Sequence, residues 1–302
     1  MSAQAPAAPV PVAPTTATGA RALRWPGRRR FLRRVGVNVL GLLVFFAMVF
    51  PVYWMVSTAF KRPIDILSFT PELIPSPATL SNFDNAVNRP NFWSSVVNSL
   101  IVVVAVTAFS MVLAFLAALA LAKFRFRGRA AFVVLIIGVQ MVPLNALIIP
   151  LYVLLSRADQ VDKLTGVIIT YLTFVLPFCV WTLRGFMLGV PRELEEAAMV
   201  DGSTRFGAFV RILLPLVAPG LVATSIFAFI QVWNEFILAY VLLQSQEKHT
   251  LTVWLAQFTT LRGTEWGPLM AAASLTALPV VVFFVLIHRR IAFGLTAGAV
   301  RG

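Results

Sequence analysis

The chain has 302 residues, of which 59% are hydrophobic and only 12% are charged, and its formal net charge is +13. So few charged residues cannot cover the surface of a water-soluble protein of this size, so most of the outer surface must face lipid. The basic residues are spread from loop to loop instead of lying on one soluble domain, which argues against a nucleic-acid partner and indicates a membrane protein.

The N-terminal segment, residues 1–34, is predicted to be a disordered basic tail on the cytoplasmic side. Residues 2–20 are almost entirely Ala, Pro, Val and Thr and show no periodic apolar face. Residues 28–33 resemble a twin-arginine export signal, but the apolar run after them is too long and lacks a clear cleavage site. We interpret them as the charged flank of a membrane anchor.

Six apolar runs are long enough to cross the hydrocarbon of a bilayer, which takes about 20 residues each. They predict an all-α, polytopic membrane protein whose transmembrane domain covers residues 35–302. The predicted helices cover residues 35–60, 93–121, 130–155, 164–183, 216–243 and 268–287.

The loop charges predict the orientation of these helices. If the N-terminus is cytoplasmic, 18 of the 25 Lys and Arg residues lie inside, whereas seven of the 12 acidic residues lie outside. Cytoplasmic loops carry an excess of Lys and Arg, so both termini are predicted to be cytoplasmic. The outside segment at residues 61–91 contains five prolines and is predicted to be a loop with one short helix.

Prolines and polar residues mark the predicted third and fifth helices. Pro143 and Pro150 are predicted to kink the third helix, on which Gln140 and Asn145 offer neutral hydrogen-bonding groups. On the fifth helix, polar side chains share one face by helical spacing: Thr224, Gln231, Asn234 and Glu235. A carboxylate in a membrane helix is expected to face the bundle interior or a wet cavity. These residues either line a pathway or form a structural hydrogen-bond network between helices.

The polar stretch at residues 184–215, the Glu-Ala-Ala loop, is predicted to form two short helices. Pro191 fits the first turn of one helix, and Gly202 fits the position after its end. Ser203 is predicted to cap a second helix with an apolar stripe that packs on the membrane bundle; the stripe contains Phe206, Phe209, Val210 and Leu213. Small residues leave the first helix free to seat in a groove of another protein.

A spaced set of residues in this loop carries the strongest functional signal. The set is Glu196-Ala197-Ala198, then Gly202, then Ile212, and then Leu214-Pro215. At this spacing the sequence resembles the inner-membrane permease subunits of bacterial ATP-binding-cassette importers, in which such a loop is the cytoplasmic coupling loop. The resemblance implies that this loop sits in a cleft of the ATP-hydrolysing subunit, with Glu196 paired to a basic residue there.

Two further segments resemble the carbohydrate branch of this family. Residues 233–236 resemble the corresponding stretch of carbohydrate-importing permeases, and the C-terminus resembles that of a maltose-type permease partner. In that branch the C-terminal tail reaches toward the ATPase. Carried over by position, the resemblance implies that Thr296, Gly298 and Arg301 contact it. The resemblance covers about residues 35–302 and implies the type I fold of importer permeases.

The resemblance implies a set of partners and an energy source outside this chain. The expected partners are a second related permease, two ATP-binding subunits, an extracytoplasmic sugar-binding protein and membrane lipid. The chain has no Gly-x-x-x-x-Gly-Lys phosphate loop, so ATP is expected to be used by the partner ATPase, and no cofactor is expected on this chain. The expected location is the bacterial inner membrane.

Two other classes of protein remain to be weighed. In a stand-alone ion- or proton-coupled carrier, Glu235 would be the ion site, but neither an internal repeat nor paired broken helices are evident. An intramembrane enzyme would need a nucleophile with a base, or several metal ligands at one depth. Cys179 is the single cysteine, and His249 and His288 fall on opposite predicted sides of the membrane. We therefore expect neither a metal site nor an enzyme.

Overall fold

A computed structural model describes the backbone of residues 28–296 and the side chains of residues 33–287. The chain divides into two units, Met1–Val52 and Tyr53–Gly302. The disorder predicted for residues 1–27 of the tail lies outside the described residues. Residues 28–34 already belong to the first helix, so that part of the predicted tail is wrong.

The all-α prediction is confirmed: the described residues form long helices and one two-stranded sheet. The helices are α1 Arg28–Ala59, α2 Pro63–Ile66, α3 Ser81–Val87, α4 Phe92–Lys123, α5 Arg129–Gln140, α6 Ile148–Arg157, α7 Leu164–Leu188, α8 Arg192–Val200, α9 Arg205–Ala208, α10 Leu214–Trp233, α11 Ile237–Leu242, α12 Leu251–Leu255 and α13 Trp266–Thr296. The strands β1 Thr259–Thr260 and β2 Gly263–Thr264 pair antiparallel.

The number of membrane spans depends on how one bent pair is counted. Five segments of the described chain are long and apolar enough to span a membrane: Arg33–Ala59, Phe92–Lys123, Leu164–Leu188, Arg205–Trp233 and Trp266–Ile287. The pair α5 and α6 supplies the sixth if it is taken as one broken span. The second, fourth and sixth predicted helices are present with longer bounds.

The predicted continuous third helix, residues 130–155, is broken. α5 ends at Gln140, and the chain then bends by 89° into the segment Leu144–Arg157, which consists of a 3-10 helix at Leu144–Leu147 followed by α6. Pro143 lies at the break with an extended backbone. Proline lacks the N–H that would continue the helix, and it disfavours helical geometry in the residue before it. The break therefore replaces the kink that we expected.

The predicted fifth helix, residues 216–243, starts earlier and ends earlier. It continues from α9 through a π-helix at Phe209–Leu213 into α10, which ends at Trp233. Residues 234–236 are not helical, and α11 begins at Ile237. Asn234 and Glu235 are therefore not on a common helical face with Gln231, because the helix that would align them has already ended.

The core of the second unit is built around α4. Along most of its length α4 packs on α7, and the buried cluster there includes Val106, Ala114, Tyr171 and Cys179. A smaller cluster lies at the N-terminal end of α4 and contains Ala59, Ala86, Phe92, Trp254, Phe258, Ala271 and Ala272. The two ends of α4 are about 48 Å apart, at 1.5 Å for each of its 32 residues. This length separates the polar connections near the N-terminal end of α4 from the Glu-Ala-Ala loop near its C-terminal end.

Two contacts order the polar connections at the N-terminal end of α4. Asn82, in α3, is buried and donates hydrogen bonds to the carbonyls of Ala59 (2.9 Å) and Lys61 (2.7 Å). The segment at residues 61–91 contains two short helices, α2 and α3, where we predicted one.

Asp162, between α6 and α7, fastens the segment after α11. Its carboxylate accepts hydrogen bonds from the N–H groups of Gln244 and Ser245, both at 2.9 Å, and from Lys248 Nζ at 2.8 Å. Burial acts to raise the pKa of Asp162, but these hydrogen bonds outweigh it and hold the pKa well below the ordinary value. The Asp162 carboxylate therefore joins the connection between α6 and α7 to the segment after α11 through hydrogen bonds and an ion pair.

Candidate functional site

The Glu-Ala-Ala loop contains a short exposed helix, α8, that ends in a specific turn. Gly202 has φ +89°, a left-handed conformation that glycine adopts without a steric penalty. Ser203 N–H donates to the carbonyl of Ala198 at 2.9 Å, and Gly202 N–H donates to that of Met199 at 3.1 Å. These two bonds form a Schellman motif. The four-residue step from Ala198 to Gly202 is therefore the spacing that this turn requires.

The second helix of the loop departs from its prediction in two ways. Thr204, and not Ser203, caps it: Thr204 Oγ1 accepts the N–H of Gly207 at 3.0 Å. The predicted apolar stripe is also only partly buried, because Phe206 is 74% exposed whereas Leu213 is 1% exposed. The π-helix at Phe209–Leu213 contains an extra residue in its turn, which rotates the side chains away from simple α spacing.

The start of α8 is fastened to the end of α4. Lys123 Nζ, at the last residue of α4, lies 2.5 Å from Glu195 Oε1. Lys123 Nζ also donates to the carbonyl of Val190 at 3.4 Å, and the Arg192 guanidinium donates to the carbonyl of Lys123 at 3.3 Å. Sequence reasoning missed this anchor, because nothing in the sequence links positions 72 residues apart.

The two adjacent glutamates of α8 therefore have different surroundings. Glu195 is half-buried and ion-paired, whereas Glu196 is exposed, as is Ala197. Among the described side chains, none makes a hydrogen bond or ion pair with Glu196. The remaining motif residues lie where the π-helix meets α10: Ile212 and Leu214 are half-buried, and Pro215 is in the first turn of α10.

A largely apolar cavity of about 460 Å³, with a few polar side chains, lies where α5, α7 and α10 meet. Gln140, Gln231 and Thr173 line it, so the structure brings together two of the predicted pathway residues. The rings of Phe178 and Phe227 stack at its wall with centroids 3.8 Å apart. Amides and hydroxyls beside an aromatic face can bind a ligand that has both polar and apolar faces.

The other predicted pathway residues lie elsewhere. Asn145, in the 3-10 helix, and Asn234, at the break, are exposed and do not line this cavity. The Glu235 carboxylate accepts hydrogen bonds from the Tyr171 hydroxyl and from the N–H groups of Leu238 (2.9 Å) and Ala239 (3.2 Å). It thus satisfies the free N–H groups at the start of α11, as a helix cap does.

The predicted C-terminal contacts are only partly described. Thr296 is the last residue of α13, and its side chain, like Gly298 and Arg301, lies outside the described residues. Among the described side chains, no group of three or more His, Cys, Asp or Glu is placed to hold a metal ion.

Comparison with known proteins gives one consistent family. Residues 110–296 match the family described as "Binding-protein-dependent transport system inner membrane component". The chain is 45% identical over 275 residues to the diacetylchitobiose uptake system permease protein DasC of Streptomyces coelicolor, covering 91% of this chain and 100% of that protein. It is 34% identical to the trehalose transport system permease protein SugB of Mycobacterium tuberculosis, covering 87% and 96%.

A solved structure shares the fold. It is the crystal structure of a bacterial ABC transporter involved in the import of the acidic polysaccharide alginate, with a TM-score of 0.71 and 21% sequence identity. The match covers 88% of this chain and 98% of the other. At this identity the similarity concerns the fold, that is, the arrangement of the helices.

Proposed function

This chain belongs to the family of inner membrane components of binding-protein-dependent transport systems, and from this membership we propose that it is a permease subunit of an ATP-driven carbohydrate importer. It forms half of the translocation pathway and is coupled to the ATPase through the Glu-Ala-Ala loop. It performs no covalent chemistry of its own. ATP is bound and hydrolysed by the partner subunits.

The observation that carries the coupling proposal is the contrast between Glu195 and Glu196. Glu195 anchors α8 to the end of α4, while Glu196 and Ala197 are presented to the outside on the same short helix. A small, exposed helix with an unpaired acid beside Ala197 and a rigid attachment suits docking in a cleft with a basic residue. A displacement of α8 reaches α4 through the ion pair and α10 through the π-helix.

The mechanism that we propose is alternating access. ATP binding closes the ATPase dimer and draws together the coupling loops of the two permeases, which opens the pathway outward. Hydrolysis releases them and returns the pathway to the inward-facing state. The break at Pro143 and the break after Trp233 divide two helices into segments, and such segments can tilt separately.

The carbohydrate proposal is supported by the relatives and by the cavity between α5, α7 and α10. Relatives are named for the transport of diacetylchitobiose, trehalose and arabinooligosaccharides. Gln140 and Gln231 supply neutral donors and acceptors for sugar hydroxyls, and Phe178 and Phe227 supply an apolar face. Glu235 is engaged as a helix cap, so the geometry favours a structural role for it over that of an ion site in a stand-alone carrier.

The proposed assembly contains four further subunits in the inner membrane and at its surfaces. They are a second related permease, two ATP-binding subunits and an extracytoplasmic sugar-binding protein. The excess of Lys and Arg in alternate loops supports an orientation with both termini in the cytoplasm. In a maltose-type arrangement, the C-terminal residues Thr296, Gly298 and Arg301 contact the ATPase.

Co-purification tests the coupling proposal. The chain is expressed with its genomic neighbours, solubilised in detergent and isolated, and the recovered ATPase subunit is measured for wild type, Glu196→Ala and Glu193→Ala. Glu193 is an exposed acid on the same helix and serves as the matched control. We expect Glu196→Ala to reduce ATPase recovery and Glu193→Ala to retain it. Equal recovery from all three would contradict the assignment of Glu196.

Transport kinetics test the cavity. Gln140→Ala and Gln231→Ala are expected to raise the KM for sugar uptake in reconstituted vesicles, since each removes groups that would bind hydroxyls. Gln246→Ala, an exposed glutamine in a 3-10 helix, is the control. An unchanged KM in both cavity variants would remove this cavity from the pathway while leaving the coupling proposal intact.

A further inference from the structure

A second cavity, of about 370 Å³, lies where α1 ends, at the opposite end of α4 from the Glu-Ala-Ala loop. It is lined by Trp54, Thr58 and Lys61 from the end of α1 and the residues after it, by Ile66 and Leu67, and by Trp266 and Met270 of α13. These residues all belong to the second unit. The cavity has no part in the proposed coupling or sugar pathway.

Lys61 is a buried cation without a counter-charge. Its side chain lines the cavity, the residue is 3% exposed, and Nζ lies 4.0 Å from the centroid of the Trp54 ring. Among the described residues, no carboxylate lies within ion-pairing distance of Nζ and no acceptor forms a hydrogen bond with it. A buried charge without a partner is costly, and the contact with one aromatic ring replaces only part of its hydration.

Thr58 adds a second unsatisfied group to the same cavity. It is 5% exposed, and its hydroxyl has no hydrogen-bond partner in the described part of the chain. Buried hydroxyls nearly always have a partner. The Lys61 ammonium and the Thr58 hydroxyl both lack partners among the described residues of this cavity, and both can donate a hydrogen bond to an anionic oxygen.

The surrounding structure holds these donors in place. Asn82 donates to the carbonyls of both Ala59 and Lys61, which fixes the backbone between Thr58 and Lys61. Asn82 in turn fits against Gly267, where an added Cβ would lie 2.4 Å from Asn82 Oδ1. The cation is thus positioned before any ligand arrives, which lowers the entropic cost of binding.

The cavity lies where two apolar spans terminate. The α1 span ends at Ala59, and the α13 span begins at Trp266, so the cavity is at the level of the membrane interface, where tryptophan is enriched. In the residues that follow Lys61, Ile64 and Leu67 are each 75% exposed. Apolar side chains at this level contact acyl chains without the penalty that they would incur in water.

We propose that Lys61 and Thr58 bind the phosphate of an anionic phospholipid, with the acyl chains of the lipid against Ile64 and Leu67. The shared chemistry is a phosphate oxygen, which a soluble phosphate ester also carries. The neighbouring apolar side chains favour the lipid.

Lipid-dependent stability of the purified complex tests this proposal. The complex is delipidated in detergent, and its unfolding temperature is followed as phosphatidylglycerol, phosphatidylcholine or soluble glycerol phosphate is added. Lys61→Met removes the charge at similar volume, Lys61→Arg retains it, and Thr58→Val removes the hydroxyl. Lys163→Met is the matched control, because Lys163 is an exposed lysine paired with Asp159.

We expect phosphatidylglycerol to stabilise wild type, Lys61→Arg and Lys163→Met, with at least about a tenfold loss of apparent affinity in Lys61→Met, since each tenfold corresponds to about 1.4 kcal/mol. Thr58→Val is expected to lose about threefold. Equal stabilisation by phosphatidylcholine would refute an anionic lipid as the ligand, and equal stabilisation by glycerol phosphate at the same concentration would refute a contribution from the acyl chains. Retained phosphatidylglycerol affinity in Lys61→Met with loss of binding-protein association would also refute the proposal and would assign the cation to a protein partner.

Discussion

Gly202→Ala tests whether the turn after α8 sets the geometry of the Glu-Ala-Ala loop. An added Cβ at Gly202 meets no atom within 4 Å, so the substitution introduces no clash, but the residue has φ +89°. A left-handed conformation costs an L-residue about 1–2 kcal/mol, which corresponds to a factor of about 5–30 in a conformational equilibrium. The substitution therefore changes the population of the turn without changing its contacts.

The assay is the affinity of the solubilised permease for its ATPase subunit. We expect Gly202→Ala to weaken it by at least about fivefold. Gly202→Asn is expected to weaken it less, because asparagine tolerates the left-handed region. Gly138→Ala is the control, since Gly138 lies in α5 with nothing within 4 Å of an added Cβ. Wild-type affinity in Gly202→Ala, or an equally severe loss in Gly202→Asn, would refute the argument from backbone conformation.

Three further outcomes are expected, each measured by denaturant unfolding. Lys123→Met and Glu195→Gln should each destabilise by about 1–3 kcal/mol, and a double-mutant cycle without coupling between them would contradict the anchor. Tyr171→Phe should cost about 1 kcal/mol while leaving transport active, and loss of transport at unchanged stability would restore Glu235 as an ion site. Asp162→Asn should cost about 2 kcal/mol at pH 7; because the pKa of Asp162 is lowered on folding, this difference should persist above about pH 4 and vanish as the pH falls through the lowered value. A difference in stability between the variant and wild type that grows on acidification would show that the interaction of Asp162 is not ionic.

The sequence predicted the membrane-spanning class and the Glu-Ala-Ala loop because both are local signals. Apolar runs of sufficient length are visible without any knowledge of packing. The Schellman turn requires a glycine four residues after Ala198, so its spacing can be found in a motif. The family resemblance drawn from that motif is confirmed by the match over residues 110–296.

The errors arose where contacts between distant residues decide the structure. Glu235 was placed within a helix by its apolar neighbours, whereas its carboxylate caps the helix that follows a break. The pairing of Glu195 with Lys123 was not predicted, since it depends on how α4 and the loop pack together. Gln140 and Gln231 do share a cavity. Asn145 was grouped with them as a neutral polar residue of a continuous third helix, and Asn234 because helical periodicity was carried past the end of α10.

The π-helix at Phe209–Leu213 has a consequence for how this loop tolerates changes in length. An α-helix turns by about 100° for each residue, and a π-turn accommodates one residue more than an α-turn. Deleting a single residue here would restore ordinary α-geometry with little net rotation of α8, whereas deleting a residue from the regular α-turns of α10 would rotate α8 by about 100° around the axis of the membrane span. The π-helix can therefore lose one residue without changing the direction in which Glu196 points, a tolerance that the regular turns of α10 do not have.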